Sequence, residues 1–289
     1  MIIKIDDYNS ELLDPYTRMS EVAVKNIYAP ELGAFIAESP NVIGRALSAG
    51  YEPVSVLSDE KELNCECVRL ILEKYDVPVY TASYEVLARM TGFSLTRGIL
   101  CQMRRLKLPS VDDIIGLRNP DEVDFKGREA EEQHNKSEKK NLVWLDEVMN
   151  PTNVGALFRS AAALNMDGIL LSKGCADPLY RRCARVSMGT VFQIPWTYAM
   201  NKEATISKLK AEGYKFIAMA LKENAVSIND PSLHNIEKKV IVMGSEGYGL
   251  SDEMIELCDV NVIIPMGNGV DSLNVAAAGA VAFYALGNI

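Results

Sequence analysis

Apolar runs at residues 142–148, 168–172, 214–220, 240–243 and 260–264 recur through the second half of the chain, separated by segments of helical spacing. Runs that are apolar throughout, rather than alternating, are buried on both faces. This is the pattern of a mostly parallel sheet covered by helices on each side. Helices are expected near 154–164, 179–186, 202–211 and 251–258, with a last one over 273–286. Ligands of such sheets bind at the carboxyl ends of the strands.

The first half alternates in the same way but more weakly, with strands expected at 54–57, 77–81 and 98–103 and helices near 60–75 and 84–90. A further helix follows Ser39-Pro40-Asn41 to Ala49, where Gly50 stops it as a C-terminal cap would. A smaller α/β layer domain is implied. Residues 118–140 are densely charged, with few large apolar side chains, and read as a linker or as an exposed charged helix. The expected organisation is an N-terminal α/β domain over 1–117, a linker over 118–140 and a second α/β domain over 141–289. A chain of 289 residues is long enough for each half to bury its own core.

Thirty basic against thirty-nine acidic residues give a net charge of -9, which counts against coating nucleic acid by bulk electrostatics. A polyanionic partner would be held at a small local site. Candidate basic clusters are Arg97, Arg104, Arg105 and Lys107, and Arg181, Arg182 and Arg185; each can equally be a solvated face. The six cysteines form no CxxC pair, and His134 and His234 lie far from them, so no metal site is expected. They read as small buried hydrophobes rather than disulfides. No membrane span and no signal peptide are apparent, and a cytoplasmic protein is expected.

Three loops that follow strands combine glycine with a few polar groups at a helix start. The first is Asn150-Pro-Thr-Asn153-Val-Gly155-Ala-Leu-Phe-Arg159. Asn153 can cap the helix, and Arg159, on another face, can be a surface charge or a guanidinium aimed at phosphate. The second is Gly244-Ser-Glu246-Gly247-Tyr-Gly249-Leu-Ser251. It is neither a dinucleotide fingerprint nor a nucleoside-triphosphate loop. Glu246 there either caps the next helix or contacts a cationic or hydroxyl-bearing ligand. The third, Pro265-Met-Gly267-Asn-Gly269-Val-Asp-Ser272-Leu-Asn274, leads into a helix of very small residues that Ser272 and Asn274 can cap.

Taken in order, these loops resemble the three motifs of the SpoU (TrmH-type) family of SPOUT RNA 2'-O-ribose methyltransferases. The matching pieces are Asn153-x-Gly155-x-x-x-Arg159, then Met243-Gly-Ser-Glu-Gly-x-Gly-Leu-Ser251, then Ile264-Pro-Met266 and Ser272-Leu-Asn274-Val275. Arg185-x-Ser187-Met-Gly189 with Phe192 and Pro195 also resembles the segment between the motifs. Residues 30–108 are similar to the small RNA-binding domain that many members carry, on Phe35-Ile-Ala-Glu38, Ile43-Gly-Arg45 and Gly98-Ile-Leu; residues 1–29 fall outside that likeness.

The resemblance implies a catalytic domain tied in a deep trefoil knot, S-adenosylmethionine as methyl donor, no metal, and a homodimer acting on RNA, ribosomal rather than transfer. By motif position, Gly244, Ile264, Met266, Ser272 and Leu273 would bind the donor, and Asn153, Arg159, Glu246 and Asn274 would be the catalytic set. Ala276 stands where the family often has serine. Transfer RNA as substrate, or a non-catalytic RNA-binding protein of the same fold, are the alternatives. A nucleotide-dependent oxidoreductase would need a glycine fingerprint where Asn150-Pro-Thr-Asn153 stands.

Overall fold

A computed structural model describes residues 1–7, 9–17, 33–83, 87, 98–117 and 140–287. Their elements group into two compact units.

The first unit holds a mixed sheet of β1 (Ile2–Lys4), β2 (Ala34–Glu38), β3 (Pro53–Asp59), β4 (Val79–Ala82) and β5 (Ile99–Arg104), in the order β1-β4-β3-β5-β2. The pairs β1/β4 and β3/β4 are parallel, whereas β5 runs antiparallel to both β3 and β2. With them lie α1 (Asp14–Thr17), α2 (Pro40–Ser48) and α3 (Glu66–Lys74). The strand β1 gives the start of the chain a role that the pattern had not assigned. Its three residues are too few for a periodicity to register, and backbone pairing to β4 secures them. The expected helix over 60–75 is a 3₁₀ turn, Glu62–Asn64, followed by α3. The helix expected over 84–90 lies outside the described residues except for Leu87.

Residues 118–139 of the expected linker also lie outside the described residues, and Lys140 opens β6 (Lys140–Leu145) instead of closing a linker. Ahead of that gap, α4 (Val111–Ile115) groups with the second unit. It starts in a capping box between Ser110 and Asp113, contacts the strand that begins at Gly168, and receives a 2.7 Å hydrogen bond from Lys140 Nζ at the Ile115 carbonyl.

After β6 come α5 (Pro151–Ala163), β7 (Gly168–Leu171), α6 (Arg181–Val186), β8 (Trp196–Tyr198), α7 (Lys202–Ala211), β9 (Lys215–Met219), β10 (Val226–Ser227), β11 (Lys238–Met243), α8 (Asp252–Glu256), β12 (Val260–Ile263) and α9 (Val275–Leu286). The seven strands are ordered β10-β12-β9-β11-β6-β7-β8, and every neighbouring pair is parallel. Leu142, Trp144, Leu170, Phe216, Val240 and Val242 fill one core, with the Trp144 and Phe216 rings edge-on at 6.2 Å. The expected strands and helices of this half are present to within a few residues. The short β8 and β10, at the two edges of the sheet, were not expected. Each pairs on one side only and carries too little apolar sequence to be conspicuous.

The segment 179–192, which contains α6, groups with the first unit. There the buried Glu38 carboxylate accepts from Arg181 Nε at 2.8 Å and from Arg185 Nη1 at 3.0 Å. Two of the candidate RNA-binding cations are thus engaged in an intramolecular ion pair. Arg97, from the other cluster, lies outside the described residues.

Candidate active site

The carboxyl ends of β9, β11 and β12 open together into a cavity of about 630 Å³. All five residues expected at the donor site, Gly244, Ile264, Met266, Ser272 and Leu273, line it. So do Met219, Leu221 and Lys222, which the sequence did not single out. They stand at the end of β9 and just beyond it, with no glycine among them. Only the sheet order, with β9 between β11 and β12, brings them to the cavity.

The loop after β11 closes on itself. Ser245 and Gly249 exchange reciprocal backbone hydrogen bonds of 3.1 Å each, leaving Glu246, Gly247 and Tyr248 at the tip of a turn. Gly244 has no room for a side chain, because an added Cβ would stand 2.6 Å from the amide nitrogen of Leu250 and equally tight against the Gly249 carbonyl. Gly249 has φ of +67°, in the left-handed region that favours glycine.

Three of the four expected catalytic side chains meet at this turn. Asn153 donates from Nδ2 to Glu246 Oε1, and Asn274 Nδ2 donates to Asn153 Oδ1 at 3.2 Å. Each belongs to a different motif loop. The capping alternatives resolve at the same time. The α5 cap is Asn150, whose Oδ1 accepts from Thr152 N at 2.9 Å. Asn153, two positions past Pro151 and buried, is free to face Glu246. The α8 cap is Ser251, so Glu246 is not a cap. Asn274 does cap α9, through Oδ1 to Ala276 N at 3.0 Å, while its amide group joins Asn153. Ser272 is not the cap.

Arg159 is not brought into this group. Six positions after Asn153 on α5, it lies about 120° round the helix and is exposed. The buried Leu157 on the same helix instead faces α9, where Gly279 lets it approach closely.

The cavity's charge is one-sided. Glu246, Asp252 and Asp271 line it, and the lysine among the lining residues, Lys222, lies 2.7 Å from Asp252. That hydrogen bond and the ammonium charge hold the Asp252 carboxyl below the ordinary aspartate range. Apolar wall is supplied by Leu250, Ile255, Val262 and Leu273. Such a site can take a ligand with an aromatic or aliphatic body and a positive charge.

The pattern of the SpoU rRNA Methylase family matches residues 140–284. The chain is 34% identical over 251 residues to an uncharacterized tRNA/rRNA methyltransferase of Mycobacterium bovis, covering 86% of this chain and 79% of that one. It is 32% identical over 147 residues to the 23S rRNA (guanosine(2553)-2'-O)-methyltransferase RlmP of Bacillus subtilis, covering 51% of this chain and 58% of that one. Among solved structures, the fold resembles an AdoMet-bound rRNA methyltransferase from Sinorhizobium meliloti, with TM-score 0.75, 21% identity and coverage of 99% and 97%. It also resembles the SpoU methyltransferase AviRb from Streptomyces viridochromogenes, with TM-score 0.68, 20% identity and 88% of each chain covered.

Proposed function

The chain belongs to the SpoU rRNA Methylase family, and from that premise we propose that it transfers the methyl group of S-adenosylmethionine to a ribose 2'-hydroxyl of RNA, ribosomal rather than transfer RNA. The observation that carries the reading is the convergence of Asn153, Glu246 and Asn274 in one hydrogen-bonded chain at a cavity lined by every expected donor residue.

The cavity fits the donor. Its size lies within the few hundred to ~1,000 Å³ usual for cofactor sites. Its uncompensated carboxylates suit a sulfonium cation, and the side-chain-free Gly244 lets the Gly249–Leu250 backbone close in to shape the cavity wall. When bound, S-adenosylmethionine supplies an electrophilic methyl group on positively charged sulfur.

The protein's share is alignment and proton handling. Glu246 uses Oε1 to accept from Asn153, which leaves Oε2 to accept the proton that the ribose hydroxyl gives up. Asn274 fixes the orientation of the Asn153 amide, so that its Nδ2 and not its Oδ1 faces the carboxylate. Arg159 is not the base, because a guanidinium carries only N–H donors and no acceptor. From its exposed place on α5 it clamps an RNA phosphate and offsets the developing oxyanion.

A second copy of the chain completes the assembly. The α9 helix is apolar on all sides, yet Ala277, Val281 and Tyr284, one face at helical spacing, are exposed. A helix apolar all round is normally covered. A groove of about 860 Å³ along that face, with Ile228 and Tyr284 in its lining, extends the surface such a copy would cover. The first unit serves as the RNA-binding domain. No helix among the described residues is long and apolar enough to cross a membrane.

The deciding experiment incubates the protein with labelled S-adenosylmethionine and unmodified ribosomal and transfer RNA pools, then digests the RNA to nucleosides. Label in a 2'-O-methyl nucleoside of ribosomal RNA is the expected result. Label on a base would overturn the assigned chemistry, and label confined to transfer RNA would overturn the substrate.

A further inference from the structure

We propose that Tyr248 is the platform on which an unpaired base of the RNA substrate stacks while its ribose stands at the cavity, an inference that rests on the methyltransferase reading above. The Tyr248 side chain is 96% exposed at the rim of that cavity. A ring so placed contributes nothing to a core and is open to a ligand standing at the cavity mouth.

The ring's support is firm. The reciprocal Ser245–Gly249 hydrogen bonds pin both ends of the turn. A carbon added at Gly247 or Gly249, on either side of Tyr248, would meet nothing within 4 Å, so the tip stands clear of the protein with room for a flat ligand. The electrostatics decide what that ligand is. Glu246, Asp252 and Asp271 line the same cavity and Lys222 is engaged by Asp252, so an RNA phosphate is repelled from the rim. An uncharged aromatic ring is not. Proteins that read RNA hold splayed bases on aromatic side chains in this way. Because every base has a π-face, the contact selects an unstacked nucleotide rather than a sequence.

The test compares wild type with Tyr248→Ala and Tyr248→Phe. The side chain touches almost nothing in the folded protein, so neither change threatens folding. With the RNA pool that accepts label, Tyr248→Ala should raise KM for RNA roughly 5- to 150-fold, the range expected for one lost base stack. Affinity for S-adenosylmethionine, measured by calorimetry, should not change, and Tyr248→Phe should restore wild-type KM. An unchanged RNA KM in the alanine variant overturns the proposal. So does a loss of donor affinity, which would place the ring on the methyl donor. Binding of a single-stranded RNA oligonucleotide containing 2-aminopurine gives a readout independent of turnover. Stacking should quench its fluorescence with wild type and the phenylalanine variant, and not with alanine. If wild type transfers no methyl group yet quenches, the methyltransferase reading fails and the stacking site stands; equal quenching by all three proteins overturns the stacking site.

Discussion

Gly244, Gly247 and Gly249 share one loop, yet alanine at each should have a different outcome, because the backbone around each differs. At Gly244 the new Cβ would stand 2.6 Å from Leu250 N, where ordinary contact begins near 3.4 Å, and the obstacle is backbone that cannot rotate away. Residues 249–250 would have to withdraw by most of an ångström, breaking the two reciprocal hydrogen bonds between Ser245 and Gly249. Each such bond contributes about 0.5–1.5 kcal/mol, and overpacking adds about 1–3 kcal/mol, for a cost of about 2–6 kcal/mol. If the loop opens locally instead of the chain unfolding, the same cost appears as at least a tenfold loss of affinity for S-adenosylmethionine, since about 1.4 kcal/mol is a factor of ten. Gly249→Ala meets no neighbour but must hold φ of +67°, at about 1–2 kcal/mol. Gly247→Ala has open space and no such backbone requirement, and should be neutral or stabilising by up to about 1 kcal/mol. Urea denaturation at constant m-value and calorimetry with the methyl donor measure both quantities. If Gly244→Ala matches Gly247→Ala in midpoint and donor affinity, the close approach at Gly244 is not what shapes the cavity.

Arg159→Ala should remove most turnover at saturating donor and RNA while leaving donor affinity unchanged; equal turnover would show that the exposed guanidinium is not part of the reaction. Asn274→Ala should cost about 1 kcal/mol for the lost α9 cap, read in a denaturation curve, and should lower kcat as the Asn153 amide loses its orientation. The proposed pairing through α9 predicts a dimer in light scattering that Val281→Glu, on the exposed apolar face, reduces to a monomer; a monomeric wild type would refute the pairing. Burial raises the Tyr16 phenol and the Cys101 thiol well above their ordinary ranges and pushes the Cys258 thiol up to about 12. The folded protein therefore holds protons that the unfolded chain releases. Stability should be flat below the ordinary thiol range and fall as pH rises from there toward 12, so the urea midpoint should be lower at about pH 10.5 than at about pH 8.

Much of the second half was legible because its signal is local. Runs such as Val240–Val242 are apolar without alternation, which only a strand buried on both faces tolerates. Glycines and small polar residues follow those strands, and the three motif loops could be ordered from sequence alone. The charged stretch after residue 117 and the acidic balance could also be read directly.

Tertiary structure decided what depends on spatial neighbours. No spacing rule puts Met219 and Lys222 beside Gly244; the place of β9 between β11 and β12 does. Spacing alone left Asn153, Glu246 and Asn274 as possible helix caps, and only the fold brings the three into hydrogen bonds with one another. Arg181 and Arg185 read from sequence as RNA contacts or a solvated face, whereas in the fold both donate to Glu38, over 140 residues earlier. The physical reason is common to all three cases. Periodicity and capping are set by neighbours along the chain, whereas the partner of a charge or an amide is set by which strands lie side by side, and the sequence order of strands does not state their spatial order.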